Sequence, residues 1–216
     1  GPLGNAPIAH EPPGTNRCPE AAPATDQSAL PLAEALRRIA PGFAGGSADP
    51  AAYAAVQRRL TTQLQASIAE LPPDSFNVAW SLGEAMRCTL IGAAAGDAAA
   101  LWTELERVLV DAPTTPFAGA ITLALSERPP PAPRMQRILR VLDEHPRCSV
   151  RAAALSLRHA TAAGDSSRAS MTPVAQAAMR SSCWRLQAAA RAVLGRLGVA
   201  PDGGAVLPSF LRADVF

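Results

Sequence analysis

Val150-Arg151-Ala152-Ala153-Ala154-Leu155-Ser156-Leu157 lies 36 residues ahead of Leu186-Gln187-Ala188-Ala189-Ala190-Arg191-Ala192-Val193. Each stretch opens on a branched residue, fills its middle with alanine and closes on a branched residue seven positions on. Phe117-Ala118-Gly119-Ala120-Ile121-Thr122-Leu123-Ala124 is a looser copy 33 residues upstream of Val150, and Val78 to Ala85 is looser still. Such a period belongs to paired-helix repeats, in which each unit buries its apolar face only against a neighbour. Small side chains in the middle of the second helix let it lie close to the helices beside it.

The rest of the chain agrees with helices. From Ser28 to Gly198 the apolar spacing is three to four throughout, and nothing alternates with a period of two. Tyr53, Val56, Leu60, Leu64 and Ile68 form one stripe, Leu101, Leu105, Val108 and Leu109 a second, and Met135, Ile138, Leu139 and Leu142 a third. Asp49-Pro50 is a helix start, with a capping carboxylate ahead of proline in the first turn. Pro72-Pro73, Pro113, Pro116, Pro129 to Pro131, Pro133 and Pro146 fall where helices must stop or begin. The predicted elements are a lead helix over 28–40 and eight helices at 49–71, 74–92, 97–111, 115–127, 133–144, 147–163, 167–180 and 183–197. Connections this short make successive helices antiparallel neighbours. The expected class is all-α.

Ser149-Val150-Arg151-Ala152-Ala153-Ala154-Leu155 resembles the VRxAAxxAL signature in the second helix of HEAT repeats. Cys183-Trp184-Arg185-Leu186-Gln187-Ala188-Ala189-Ala190 is similar, with the arginine shifted and Gln187 in its place. The two good copies cover 133–198, and the weaker ones extend the resemblance back to 49. It implies a right-handed stack of four antiparallel hairpins, a HEAT-like α-solenoid, behind the lead helix. Regular arrays of this family pair that arginine with an aspartate in the turn between the helices. Asp143 and Glu144 can serve in one repeat, but Arg180-Ser181-Ser182 offers no acid in the next. The pattern is degenerate, and an irregular bundle of hairpins is the alternative.

Gly1-Pro2-Leu3-Gly4 reads as the remnant of a cleaved affinity tag. Together with the Pro-rich stretch to Gln27 it makes a first region, 1–27, with little large and apolar to bury. The helical domain spans 28–198. A final region, 199–216, carries Leu207, Phe210, Leu211, Val215 and Phe216 and is expected to cap or trail the body. The start without an initiator Met leaves room for a removed signal peptide, and the tail is a candidate tether to a membrane anchor.

Of 216 residues, 47 are alanine. The net charge of +2 sums 20 arginines and 18 acids, with no lysine. That balance does not point to a general nucleic-acid binder. A DNA-glycosylase role has precedent on a HEAT scaffold, but it needs a stronger basic concave face with a catalytic acid. No apolar run reaches the about 18 residues a membrane helix requires.

Motifs for chemistry are missing. The histidines are His10, His145 and His159, and there is no HExxH, CxxC or zinc spacing. Nor is there a phosphate loop, a dinucleotide fingerprint or a GxSxG elbow. No metal, no cofactor and no catalytic residue is expected. Glu104 and Glu106 flank Leu105 and diverge, and with Asp143 and Glu144 they read as surface charge. Trp80, Trp102 and Trp184 are expected to fill the core between repeats. Arg134, Arg137 and Arg140 lie opposite the third stripe, as one solvated face.

Arg151, Arg158 and Arg191 are the candidate partner-binding residues. By the resemblance they sit on second helices, which line the concave surface, and a guanidinium binds carboxylates in bidentate fashion. The function expected is a non-enzymatic protein–protein interaction or scaffold module, an exported bacterial-type adaptor with a protein or peptide partner, acidic by this reasoning. The alternative is an enzyme or small-ligand binder with its site between helices.

The cysteines bear on compartment. Cys148 and Cys183 begin equivalent helices, one residue out of register, so their Cα atoms can meet the roughly 4.4–6.8 Å a disulfide needs. That pairing leaves Cys18, in a tail without a core, to Cys88. Two bridges, Cys148–Cys183 and Cys18–Cys88, put the protein in the periplasm or outside the cell. The other reading makes them ordinary small core residues of a cytoplasmic protein.

Overall fold

Asp49 starts its helix as its position ahead of Pro50 predicts: the carboxylate accepts from the backbone N–H groups of Ala51 and Ala52 at 3.0 and 3.2 Å. In the computed structural model this helix is the second of eleven among the described residues, 18–20 and 30–200. Most of the Pro-rich region, and residues 201–216 of the expected 199–216 cap, lie outside them. The helices are α1 (Leu32–Phe43), α2 (Pro50–Thr62), α3 (Leu64–Ala69), α4 (Phe76–Gly92), α5 (Ala95–Asp111) and α6 (Ala118–Glu127). They continue as α7 (Ala132–Asp143), α8 (Cys148–Thr161), α9 (Gly164–Ala169), α10 (Met171–Met179) and α11 (Trp184–Arg196). No strand occurs among the described residues, and the chain is all-α.

Two predicted helices are broken, each for a local reason. The 49–71 helix divides at Gln63. The hydroxyls of Thr61 and Thr62 donate back to the carbonyls of Gln57 and Arg58, a bonding pattern that bends helices. The 167–180 helix divides at Ser170, because Pro173 has no N–H for the Ala169 carbonyl and its ring crowds that turn. Pro41, by contrast, is carried inside the last turn of α1, and its carbonyl accepts from Ala44 and Gly46.

The helices pack in two rows. In one row α1 meets α4, α4 meets α6, α6 meets α8 and α8 meets α11. In the other, α2 and α3 meet α5, and α5 meets α7. Contacts of α1 with α2, α2 with α4, α7 with α8 and α10 with α11 join the rows. The small residues of the first row matter where α4 crosses α6. A methyl added at Gly83 comes within 3.3 Å of the Ala120 backbone and 3.2 Å of a Leu123 methyl. A larger residue there forces the helices apart.

The apolar interior falls into two clusters. The larger runs from Leu32 of α1 to Val150, Ala154 and Leu157 of α8. The smaller gathers Leu155 of α8, Met171, Ala175 and Met179 of α10, and Ala190, Val193 and Leu194 of α11. Helix α8 therefore serves both. The repeat register across α8 and α11 makes Val150, Ala153, Leu157, Leu186, Ala189 and Val193 the expected core positions; Val150, Leu157 and Val193 are buried, whereas Ala153, Leu186 and Ala189 are half-buried, and Ala154 and Ala190 take the fully buried alanine sites. On α11 the reason is that the row ends there, so only one side of the helix is covered.

Trp80 and Trp102 pack against the larger cluster. The Trp80 ring meets Phe43 edge-on at 6.1 Å. The Trp102 indole donates to the Arg128 carbonyl at 3.0 Å, and the Arg128 guanidinium lies 5.9 Å from its ring. The same guanidinium donates to the carbonyls of Leu90 and Ala93, closing the C-terminal end of α4. Trp184 departs from expectation. It is half-exposed at the start of α11, with the Arg185 guanidinium 5.0 Å from its ring.

Candidate interaction surface

Both cysteine pairs are bridged. Cys148 and Cys183, at the start of α8 and just before α11, have Cα atoms 6.2 Å apart. Cys18 and Cys88 have theirs 5.5 Å apart, and the bond fastens the N-terminal segment to α4. Cys18 also packs against the larger cluster, so this thiol does have a core to join.

The three candidate arginines sit on the two last helices of the first row. Arg151 and Arg158 share one flank of α8, and Arg191 lies on α11; all three are half-exposed. Arg151 donates through Nη1 to the carbonyls of His145 (2.6 Å) and Pro146 (3.2 Å). Arg158 pairs with Asp143. Burial pushes the Asp143 carboxyl up, and Arg158 offsets part of that. The aspartate of the turn thus meets Arg158, whereas the arginine of the VRxAA pattern bonds backbone. Each contact uses one terminal nitrogen of a guanidinium that carries five N–H donors.

His145 ties the turn beneath them to the rest of the protein. It is 1% exposed. Its Nε2 bonds the Thr115 carbonyl at 3.0 Å, and its Nδ1 accepts from the backbone N–H of Arg147 at 3.1 Å. That pair of contacts assigns the proton to Nε2. The ring is a fastener between the α5–α6 and α7–α8 connections.

The acids divide between surface and bridge. Glu104 pairs with Arg107 one turn away at 2.9 Å, as surface charge does. Glu106 is different: it receives Arg134 at 3.0 Å and Arg137 at 2.6 Å, joining α5 to α7. The hydrogen bond from Arg137 holds the Glu106 carboxyl below the usual carboxylate range against the effect of burial. Two of the three arginines expected to face solvent therefore bind α5, and Arg140 stays exposed.

The chain matches no family model, no curated protein and no solved structure.

What the sequence reading missed is local charge. Residues 166–200 hold Arg168, Arg180, Arg185, Arg191 and Arg196 and no Asp or Glu. An overall charge of +2 averages that run away. Scanning charge by helix pair, rather than over the whole chain, finds it. His159, near this end, has its pKa lowered first by burial and then by the charges of Arg196 and Arg168.

Proposed function

We propose that the chain is a non-enzymatic protein-interaction module, a HEAT-like right-handed stack of helical hairpins acting as an exported adaptor. The observation that carries this reading is the row α1, α4, α6, α8, α11, in which each helix packs on the next. Such arrays hold a long surface in place while each unit depends mainly on its neighbours, which suits docking of a protein or peptide. Arg151, Arg158 and Arg191 are half-exposed on its last two helices and offer a partner's carboxylates a planar fork. Two disulfides favour an oxidising compartment, periplasmic or extracellular. No helix among the described residues is long and apolar enough to cross a membrane.

The second reading is a small-ligand or enzymatic site between helices. A groove of about 410 Å³ between α2, α4 and α5, with Gln57, Arg58, Thr61, Thr89 and Asp97 on its walls, favours it. Affinity capture on the tagged full chain at low and high salt, followed by mass spectrometry, separates the two. A stoichiometric protein partner supports the module; a co-purified small molecule with no protein partner overturns it.

A further inference from the structure

We infer that α9 is a processing site, where a trypsin-like serine protease cuts after Arg168 and leaves a two-chain protein held together by Cys148–Cys183. The inference goes beyond the interaction-module reading and does not depend on it.

Eight consecutive residues, Ala163 to Ser170, are exposed. Helix α9 takes up six of them and is the only helix among the described residues that buries no side chain. Its main neighbour is α10. Gly164 enters it at φ +82°, and no side chain caps its first turn. A single run of Gly, Asp, Ser, Ser, Arg and Ala is too short and too weak in propensity to hold a helix by itself. Opening α9 uncovers no buried apolar side chain, so it opens far more often than the core does. Exposed segments of small and polar residues are where proteases nick folded chains.

Arg168 supplies the specificity. It is exposed and is the one basic residue in the stretch, and small Ala169 follows it. The acid in a trypsin-like specificity pocket pairs with such a guanidinium. The described arginines at other helix junctions are held or blocked. Arg128 precedes Pro129, which resists this class of protease, and its side chain is tied to the carbonyls of Leu90 and Ala93. Arg147 donates its backbone N–H to buried His145 and adjoins bridged Cys148. After Arg180 comes Ser181, whose hydroxyl and carbonyl accept from Cys183 and Gln187, and Cys183 is itself bridged.

Hydrolysis adds one water across the Arg168–Ala169 bond, leaving a carboxylate on Arg168 and an ammonium on Ala169. The ring closed by Cys148–Cys183 spans that bond. The smaller cluster draws on α8, α10 and α11 and takes nothing from α9, so the cut removes none of its buried residues. The product is one folded molecule made of 1–168 and 169–216, joined through sulfur.

The test is limited digestion of the oxidised full chain with trypsin, read by intact mass and by gels with and without reductant. The chain has no lysine, so arginines alone are probed. Among the described residues the first cut is expected after Arg168. Reductant should then separate two chains that meet between 168 and 169 and run as one without it. Arg168→Gln should abolish that pair of chains, and Arg168→Lys should restore it. The cutting rate should stay nearly flat in urea below the unfolding transition, once corrected for trypsin's own loss on a peptide substrate, because the opening exposes little new surface. The cut protein should keep the elution volume of the intact one and lose no more helix than α9. A first cut after Arg147, Arg180 or any other described arginine overturns the inference. So does a rate at Arg168 that climbs steeply with urea, since cleavage then waits for global unfolding. Chains that part without reductant, or loss of helix beyond α9, overturn the two-chain product.

Discussion

Gln187 makes in the last hairpin the contact Arg151 makes in the one before. Each side chain reaches back six residues to a turn carbonyl, Gln187 Nε2 to Ser181 and Arg151 Nη1 to His145. A neutral amide thus does the local work of a guanidinium. Replacing Arg151 with Ala should cost about 1–2 kcal/mol, because it removes charge-assisted bonds from a half-exposed turn. Arg151→Gln should recover more than half of that loss. Urea unfolding of the two variants decides it, and equal losses would mean that the charge itself is what the turn needs.

Tyr53 is the single tyrosine, so absorbance at its phenolate band titrates one known group. Burial raises its pKa from 10.0 to about 12, against a lowering influence of Arg87. A raised pKa means the folded state holds the proton more tightly. That contribution to stability is full below about 10 and is lost as pH rises through about 12. The native protein should therefore show little phenolate near pH 11, while the denatured protein shows mostly phenolate. Native titration at the ordinary value of Tyr would place the ring in solvent.

Glu106 works in the opposite direction. Its carboxyl is held below its ordinary value, chiefly by the Arg137 hydrogen bond. Stability from this bridge is present above about pH 4.5 and is lost as pH falls through the lower folded-state value. Glu106→Gln should reduce stability by about 0.5–1 kcal/mol at pH 7 and flatten the acid side of the stability curve. Denaturant midpoints of both proteins between pH 7 and pH 3 test this. A parallel acid decline in the two would remove the α5–α7 bridge from the account.

Cys148–Cys183 holds together a part of the molecule that has little core of its own. The small cluster formed by α10, α11 and Leu155 is separate from the main interior. Replacing both cysteines with Ala should destabilise that part by about 3–4 kcal/mol on the chain-entropy estimate for a separation of 35. Hydrogen exchange should then rise across α10 and α11 before it rises in α4 or α6. A uniform rise over all helices would show one cooperative unit instead.

The helices were legible because prolines and capping residues state their ends outright. Asp49-Pro50, Pro131 and Pro146 lie within a residue or two of observed starts. The break at Gln63 was not, since apolar spacing continues through it and only side-chain hydrogen bonds to the backbone interrupt it, whereas the break at Ser170 was written in the chain as Pro173, inside the expected 167–180 helix. Both disulfides followed from repeat register plus elimination. The arginine contacts did not: Arg158 finds Asp143 fifteen residues away, and Arg134 and Arg137 find Glu106 across a helix boundary. Helical periodicity assigns a face to a charge, but which opposite charge the packing brings to that face depends on the rotation and offset of neighbouring helices. The chain states neither locally.

The two bridges close separate rings, Cys18 to Cys88 and Cys148 to Cys183, and neither encloses the other. Under tension applied at its termini, the oxidised protein can lengthen only through chain outside those rings. Between them lie α5, α6 and α7, and the span from Cys88 to Cys148 is 60 residue steps. At roughly 3.3–3.6 Å per residue it pays out about 20 nm when these helices unravel. Separations of 70 and 35 stay locked until the sulfur bonds are cut. The middle of the array, together with α11 beyond Cys183, is thus the part that yields under load, while two covalently bounded segments hold.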